Sequence, residues 1–165
     1  MTFDVRRGDR IALQGRNGCG KSSILKLICG FDIPFNGTVR IGSGLKISYV
    51  PQDTSGLSGT LDDYAATRIL DQTLFKAILR KLDFSRIQFE KRLEYYSAGQ
   101  KKKVLIAASL CEKAHLYVWD EPLNYIDVIS RMQIENLMVT HEPTMLFVEH
   151  DSAFCENVAT ESIAL

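Results

Sequence analysis

A mainly parallel α/β sheet, with a small antiparallel element and a helical insert, is the fold that three observations predict for this chain of 165 residues. Apolar runs of strand length alternate with helical periodicity near both ends of the chain. Helical periodicity alone fills the middle, and glycine and proline punctuate the joins. With 45% hydrophobic and 24% charged residues, the composition supports one globular core and excludes a disordered tail.

Arg10 to Gln14 is a short apolar strand, followed by a glycine-rich turn and a helix that places Ile24, Leu27 and Ile28 on one face. Phe35-Asn36-Gly37 signals a turn. After it, Thr38 to Ile41 and Lys46 to Val50 alternate on either side of Gly42-Ser43-Gly44, which predicts the antiparallel element. Thr60 with Asp63 spells a capping box, and Phe75, Ile78, Leu79 and Leu82 recur at i, i+3, i+4 and i+7. These features predict a helical subdomain at about residues 54–109. The α/β rhythm then returns: a helix from Ser97 through Cys111, a strand at His115 to Trp119 and a helix from Ile126 to about His141. A strand at Thr144 to Val148 and a final helix and strand complete the pattern. Strands alternating with helices imply parallel pairing.

Twenty basic residues balance twenty acidic ones, and the sequence pI is about 6.8. A neutral chain offers no general attraction for nucleic acid or an anionic membrane, so any such contact must be local. The longest apolar stretch, Val104 to Cys111, is too short to cross a bilayer, and MTFDVRRGDR has no signal-like apolar core. The expectation is a soluble cytoplasmic protein without membrane insertion. Cys19, Cys29, Cys111 and Cys155 form no CxxC or Cys/His cluster, so neither disulfides nor structural zinc are expected.

Gly15-Arg16-Asn17-Gly18-Cys19-Gly20-Lys21-Ser22 fits G-x-x-x-x-G-K-[ST] between a predicted strand and a predicted helix. Its glycines let successive N–H groups curl around a phosphate, and the helix that continues through Ser23 adds its positive end. Lys21 adds a full charge at the β/γ oxygens, and the Ser22 hydroxyl suits Mg²⁺. This context predicts a P-loop NTPase fold. Cys19 lies in the positive loop, where a thiol can become reactive, although any small residue would fit there.

His115 to Trp119 is an apolar run ending in Asp120-Glu121-Pro122, the pattern of a Walker B segment. Consecutive acids at a strand end point in different directions, so Asp120 can serve Mg²⁺ while Glu121 polarises water. Alone, Asp-Glu-Pro would better suit a solvated turn; the phosphate loop beside it reverses that preference. Ser97 and Gln100 form a second capping box, itself a complete structural explanation for that segment. Lys101-Lys102-Lys103 reads as a solvated helix face or as a contact to RNA phosphates.

The order of these segments carries a resemblance across nearly the whole chain. Phosphate loop, Tyr49-Val50-Pro51-Gln52, Ser97-Ala98-Gly99-Gln100, Asp120-Glu121-Pro122 and Glu149-His150-Asp151 together resemble an ATP-binding cassette (ABC) ATPase. The resemblance implies ATP and Mg²⁺ as ligands. It makes Gln52 the glutamine near Mg²⁺ and the attacking water, Glu121 the general base and His150 the switch histidine. It makes Ser97, Gly99 and Gln100 a signature segment presented to nucleotide on a second cassette, so that two cassettes close head-to-tail. Asp127 matches the aspartate that communicates across that pair.

Asn124, and His150-Asp151 followed by Phe154 and Val158-Ala159-Thr160, resemble the ABC-F class of soluble ATPases that act on ribosomes in translation and antibiotic resistance. Tyr96-Ser97-Ala98-Gly99-Gln100 in place of the usual Leu-Ser-Gly-Gly, with Pro122-Leu123-Asn124-Tyr125, resembles the resistance branch. The alternatives are the motor subunit of a transporter, with a membrane subunit as partner, and a nucleotide-gated clamp with little hydrolysis. Only 14 residues precede Gly15, with Phe3 the sole aromatic among them. The expectation is therefore an N-terminally truncated cassette, the C-terminal one of a longer protein, with weak adenine selectivity.

Overall fold

The computed structural model describes residues 2–165. Its sheet has strands β1 (Arg10–Gln14), β2 (Ile47–Val50), β3 (Leu116–Asp120), β4 (Met145–Val148) and β5 (Glu161–Ala164) in the order β2-β3-β4-β1-β5. All four pairings are parallel. Leu13 and Asp120 both stand level with Val148, and Val50 stands level with Trp119. The C-terminal ends of β1 to β4 therefore share one edge, where open α/β sheets bind ligands.

Strand alternation sends side chains into separate apolar clusters on the two faces. On one face Ile11, Leu13, Val118, Leu146 and Val148 meet Leu25 of α1 (Lys21–Ile28), and half-buried Phe3 packs against the same cluster. On the other, Ala12, Val50, Trp119 and Phe147 join the larger cluster. That cluster takes in α2 (Leu61–Thr67), α3 (Gln72–Lys81), α5 (Ala98–Cys111), α6 (Val128–His141) and α7 (Ser152–Val158). A short α4 (Arg86–Phe89) lies between α3 and α5.

Thr60 and Asp63 cap α2 reciprocally, as their spacing predicts. Phe75 and Leu79 of α3 are fully buried, each contributing about 1.5–3 kcal/mol. Helix α5 is apolar and buried all round from Val104 to Ala108, which is the composition of a central helix rather than an amphipathic one. No helix among the described residues is long and apolar enough to cross a membrane.

The expected antiparallel element is corrected by the structure. Thr38 to Ile41 has no regular structure, and β2 pairs only with β3. Val39 and Ile41 alternate as a strand would, yet both are exposed. β2 finds its partner in β3, and with Val39 and Ile41 uncovered the Thr38 to Ile41 segment buries too little apolar surface to hold as an edge strand beside it.

Candidate functional site

The loop between β1 and α1 turns on left-handed glycines: Gly15 at φ 152°, Gly18 at 79° and Gly20 at 102°. A Cβ on Gly15 would stand 2.8 Å from the Cys19 Sγ and 3.1 Å from the Leu165 carbonyl oxygen, so only glycine fits. Lys21 is buried, and its Nζ donates to the carbonyls of Gly15 (2.8 Å) and Arg16 (3.0 Å), closing the loop on itself. Asn17, Gly18 and Cys19 stay exposed at the rim.

Asp120 and Glu121 diverge from the end of β3. Asp120 is buried and its Oδ1 accepts from the Ser22 hydroxyl at 3.1 Å, joining α1 to β3. Burial pushes this carboxyl above its usual range and Glu121 adds to the effect, while the Ser22 hydroxyl, Lys102 and Lys26 oppose it. Glu121 sits at φ 48°, with its N–H bonded to the Val148 carbonyl at 2.9 Å. Its side chain turns the other way. Oε2 accepts from Gln52 Nε2 at 2.8 Å and from Asn124 Nδ2, and Oε1 lies 3.2 Å from His150 Nε2. One carboxylate thus gathers polar groups from three loops.

Glu149 braces this arrangement. Its buried carboxylate accepts the N–H groups of Leu123 (3.0 Å), His150 (2.7 Å) and Asp151 (3.4 Å), pinning the loop after β3 to the loop after β4. Arg131 bridges the same loops through Asp151 (3.1 Å) and the Leu123 carbonyl (3.3 Å). Sequence reasoning quoted Glu149 without a role and treated Asn124 only as a class marker. The sequence assigns neither bond: the fold alone brings Leu123 to Glu149, and Asn124 reaches Glu121 only because the turn after β3 folds back on itself.

Asn17, Gly18, Lys21, Gln52, Glu121 and His150 line a cleft of about 430 Å³. A neighbouring cleft of about 540 Å³ takes in Ser22, Lys26, Gln52 and Asp120, with Gln52 common to both. Gly15, Cys19, Gly20 and Ser23 shape the loop and the helix start without lining either cleft. Ser97, Gly99 and Gln100 lie apart from both. Ser97 and Gln100 cap α5 reciprocally, at 3.0 and 3.2 Å. Gly99 is buried against the backbone of Tyr125, where an added Cβ would fall 2.2 Å from the carbonyl oxygen.

The lysine run contradicts both of its sequence readings. Lys102 is fully buried, its Nζ donating to the carbonyls of Pro51 (2.8 Å) and Gln52 (3.2 Å). Burial lowers its pKa, against the opposing charges of Asp120, Glu121, Glu149 and Asp53. Lys103 is buried too and pairs with Asp127 at 2.6 Å. Asp127 also caps α6 by accepting from the Ser130 N–H at 2.9 Å. Burial pushes the Asp127 carboxyl up, but the bonds from Lys103 and Ser130 outweigh it and bring it down to about 2.

Ser22 and Asp120 fit Mg²⁺. Among the described residues no three or more His, Cys, Asp or Glu side chains gather into a metal cage. Mg²⁺ is commonly held by one or two carboxylates together with water and substrate phosphate. A buried carboxylate and a hydroxyl 3.1 Å apart beside a phosphate loop are hard oxygen ligands of that kind.

A phosphate loop at the end of β1, an acidic pair at the end of β3 and a parallel sheet that aligns them define a P-loop nucleotide hydrolase. The chain belongs to the ABC transporter family, whose model matches residues 1–124, and whose cassettes are ATPases. Over 94% of its length it is 32% identical to the ATP-binding protein Uup of Buchnera aphidicola, and over 99% it is 27% identical to the ribosome protection protein VmlR of Bacillus subtilis. It spans only 27% of the former and 30% of the latter. The structure matches 83% of a dimeric bacterial ABC transporter cassette with a TM-score of 0.81 at 20% identity, a likeness of fold. It also matches 32% of the archaeal ribosome recycling factor aABCE1, solved with the ribosomal stalk protein aP1, with a TM-score of 0.79 at 26% identity.

Proposed function

We propose that this cassette hydrolyses Mg-ATP with Glu121 as general base, closes head-to-tail on a second cassette, and serves a cytoplasmic ABC-F protein that acts on the ribosome. The carrying observation is the Glu121 carboxylate, held between Gln52, Asn124 and His150 at the rim of the cleft that Lys21 lines. A carboxylate fixed on several sides needs no reorganisation to accept a proton from water.

Lys21 and the amides of Asn17, Gly18, Cys19 and Gly20 bind phosphate, while Ser22 and Asp120 hold Mg²⁺, with Gln52 beside them. The metal supplies charge neutralisation at the phosphate oxygens. His150 orients Glu121 and faces the same cleft. Ser97, Gly99 and Gln100 lie outside this cleft, which suits a signature segment presented to a nucleotide on another cassette. The names of VmlR and aABCE1 support a ribosomal setting, as does Asn124, a class marker here bonded to the base. The transporter reading draws on the family description and on the likeness to a transporter cassette. The helices between β2 and β3 form the helical subdomain of this reading.

The test uses the full-length polypeptide. Glu121→Gln should lower phosphate release by roughly 10²–10⁴-fold and, with Mg-ATP, send the protein into the ribosomal fraction of a sucrose gradient. Sedimentation with membranes would favour the transporter reading. Undiminished release would remove Glu121 as the base, and a wild-type protein that binds ATP without turnover would identify a clamp.

A further inference from the structure

We propose that Lys102 is a positioning residue for the hydrolytic site: it fixes Gln52 from the helix that begins with the signature segment. The inference rests on the hydrolytic reading above. Its ammonium is fully buried and donates to two consecutive carbonyls, those of Pro51 and Gln52. These carbonyls lie where β2 has just ended at Val50 and the backbone leaves the ladder of β3. Pro51 has no N–H, so the loop cannot continue that ladder, and its orphaned carbonyls need a donor.

An apolar side chain of the same length would fill the space without the cost of burying a charge. What the ammonium adds is a fixed place for the Gln52 backbone. From there the exposed Gln52 side chain reaches back to Glu121 Oε2 at 2.8 Å. Lys102 lies only five positions beyond Ser97, the cap of α5. A shift of that helix therefore moves Gln52, and with it one of the groups that orient Glu121. No other side chain joins the signature helix to the Gln52 backbone by a hydrogen bond among the described residues.

The test is a double-mutant cycle in the full-length protein, with kcat and KM for Mg-ATP and thermal melting read together. Lys102→Met should lower kcat by about 10–100-fold, the cost of a misplaced catalytic neighbour, and leave KM within about threefold. In a Gln52→Ala background it should cost almost nothing more, because the residue acts through Gln52. Lys102→Arg, which keeps the donors, should recover kcat to within about threefold of wild type. The backbone NMR order parameters of Gln52 and Asp53 should fall in Lys102→Met while those of β3 stay unchanged.

A kcat loss of equal size in the Gln52→Ala background, or a loss explained by the unfolded fraction alone, overturns the proposal. If Lys102→Met does not fold, Lys102→Gln replaces it under the same expectations. Should the wild type show no turnover that Glu121→Gln abolishes, the hydrolytic reading falls. The order parameter of Gln52 then decides the positioning role alone, and an unchanged value overturns it.

Discussion

Replacing Gly99 by alanine should destabilise the protein far more than a one-methyl change on a helix normally does. The new Cβ would lie 2.2 Å from the Tyr125 carbonyl oxygen, more than 1 Å short of the 3.4 Å at which ordinary contact begins. Neither partner can yield easily. Gly99 lies in the first turn of α5, which the Ser97–Gln100 box and the buried Lys102 and Lys103 hold in place. Tyr125 is already left-handed at φ 64°, between Asn124, which bonds Glu121, and Asp127, which pairs with Lys103. Overpacking of this kind costs about 1–3 kcal/mol. For a domain of this size that is a fall in Tm of roughly 2–10 °C. Ala98→Gly, one position earlier and exposed, supplies the control: it removes a methyl group without a clash and should cost no more than about 1 kcal/mol. Urea melts of both variants in the full-length protein decide the matter. A Gly99→Ala midpoint at or above that of Ala98→Gly would show that α5 and the Tyr125 loop are not in fixed contact, and the reasoning would fail.

Stability should also respond to acid through Asp127. Its carboxyl is held at about 2 in the folded chain, below its value near 3.9 in the unfolded one, so its contribution is complete above about pH 4 and disappears as the pH falls towards 2. Asp127→Asn should flatten the stability profile in that window when urea midpoints are compared, and an unchanged slope would remove the Lys103 pair as its source. Cysteine labelling should be equally discriminating. Burial pushes the Cys29 thiol up to about 12 and those of Cys111 and Cys155 to about 11, whereas Cys19 is exposed on the phosphate loop. At neutral pH a maleimide should modify Cys19 first, with Mg-ATP slowing the reaction; mass spectrometry of the labelled peptides reads both outcomes, and equal rates with and without nucleotide would place Cys19 away from the bound phosphate.

The strands and the order of the chemical segments were legible because each carries its own local cause. Glycines with positive φ mark the phosphate loop, an apolar run stops at Asp120, and Thr60 and Ser97 announce their helices by capping. Lys101 to Lys103 misled because a run of charge was read as a unit. Adjacent positions on a helix diverge by about 100° each, so three lysines cannot share one face. The continuous apolar stretch from Val104 was the available sign that α5 is buried on every side, and that its lysines must find partners inside. Thr38 to Ile41 failed for the opposite reason. Its alternation was genuine, but strand formation depends on a neighbour that local pattern does not reveal. The bond from Leu123 to Glu149 was hidden because the sheet alone brings those residues together, while Asn124 meets Glu121 within a tight turn whose geometry the residue types do not announce.

The placement of β1 between β4 and β5 has a consequence for how the molecule is made. The strand that carries the phosphate loop is synthesised well before its partners, both of which begin after residue 144. Until those partners emerge, its apolar core, Ile11 to Leu13, has no ladder to join. The nascent chain must keep this strand from pairing elsewhere until Met145 to Val148 emerges, a demand that falls on chaperones and on the speed of translation rather than on the finished fold.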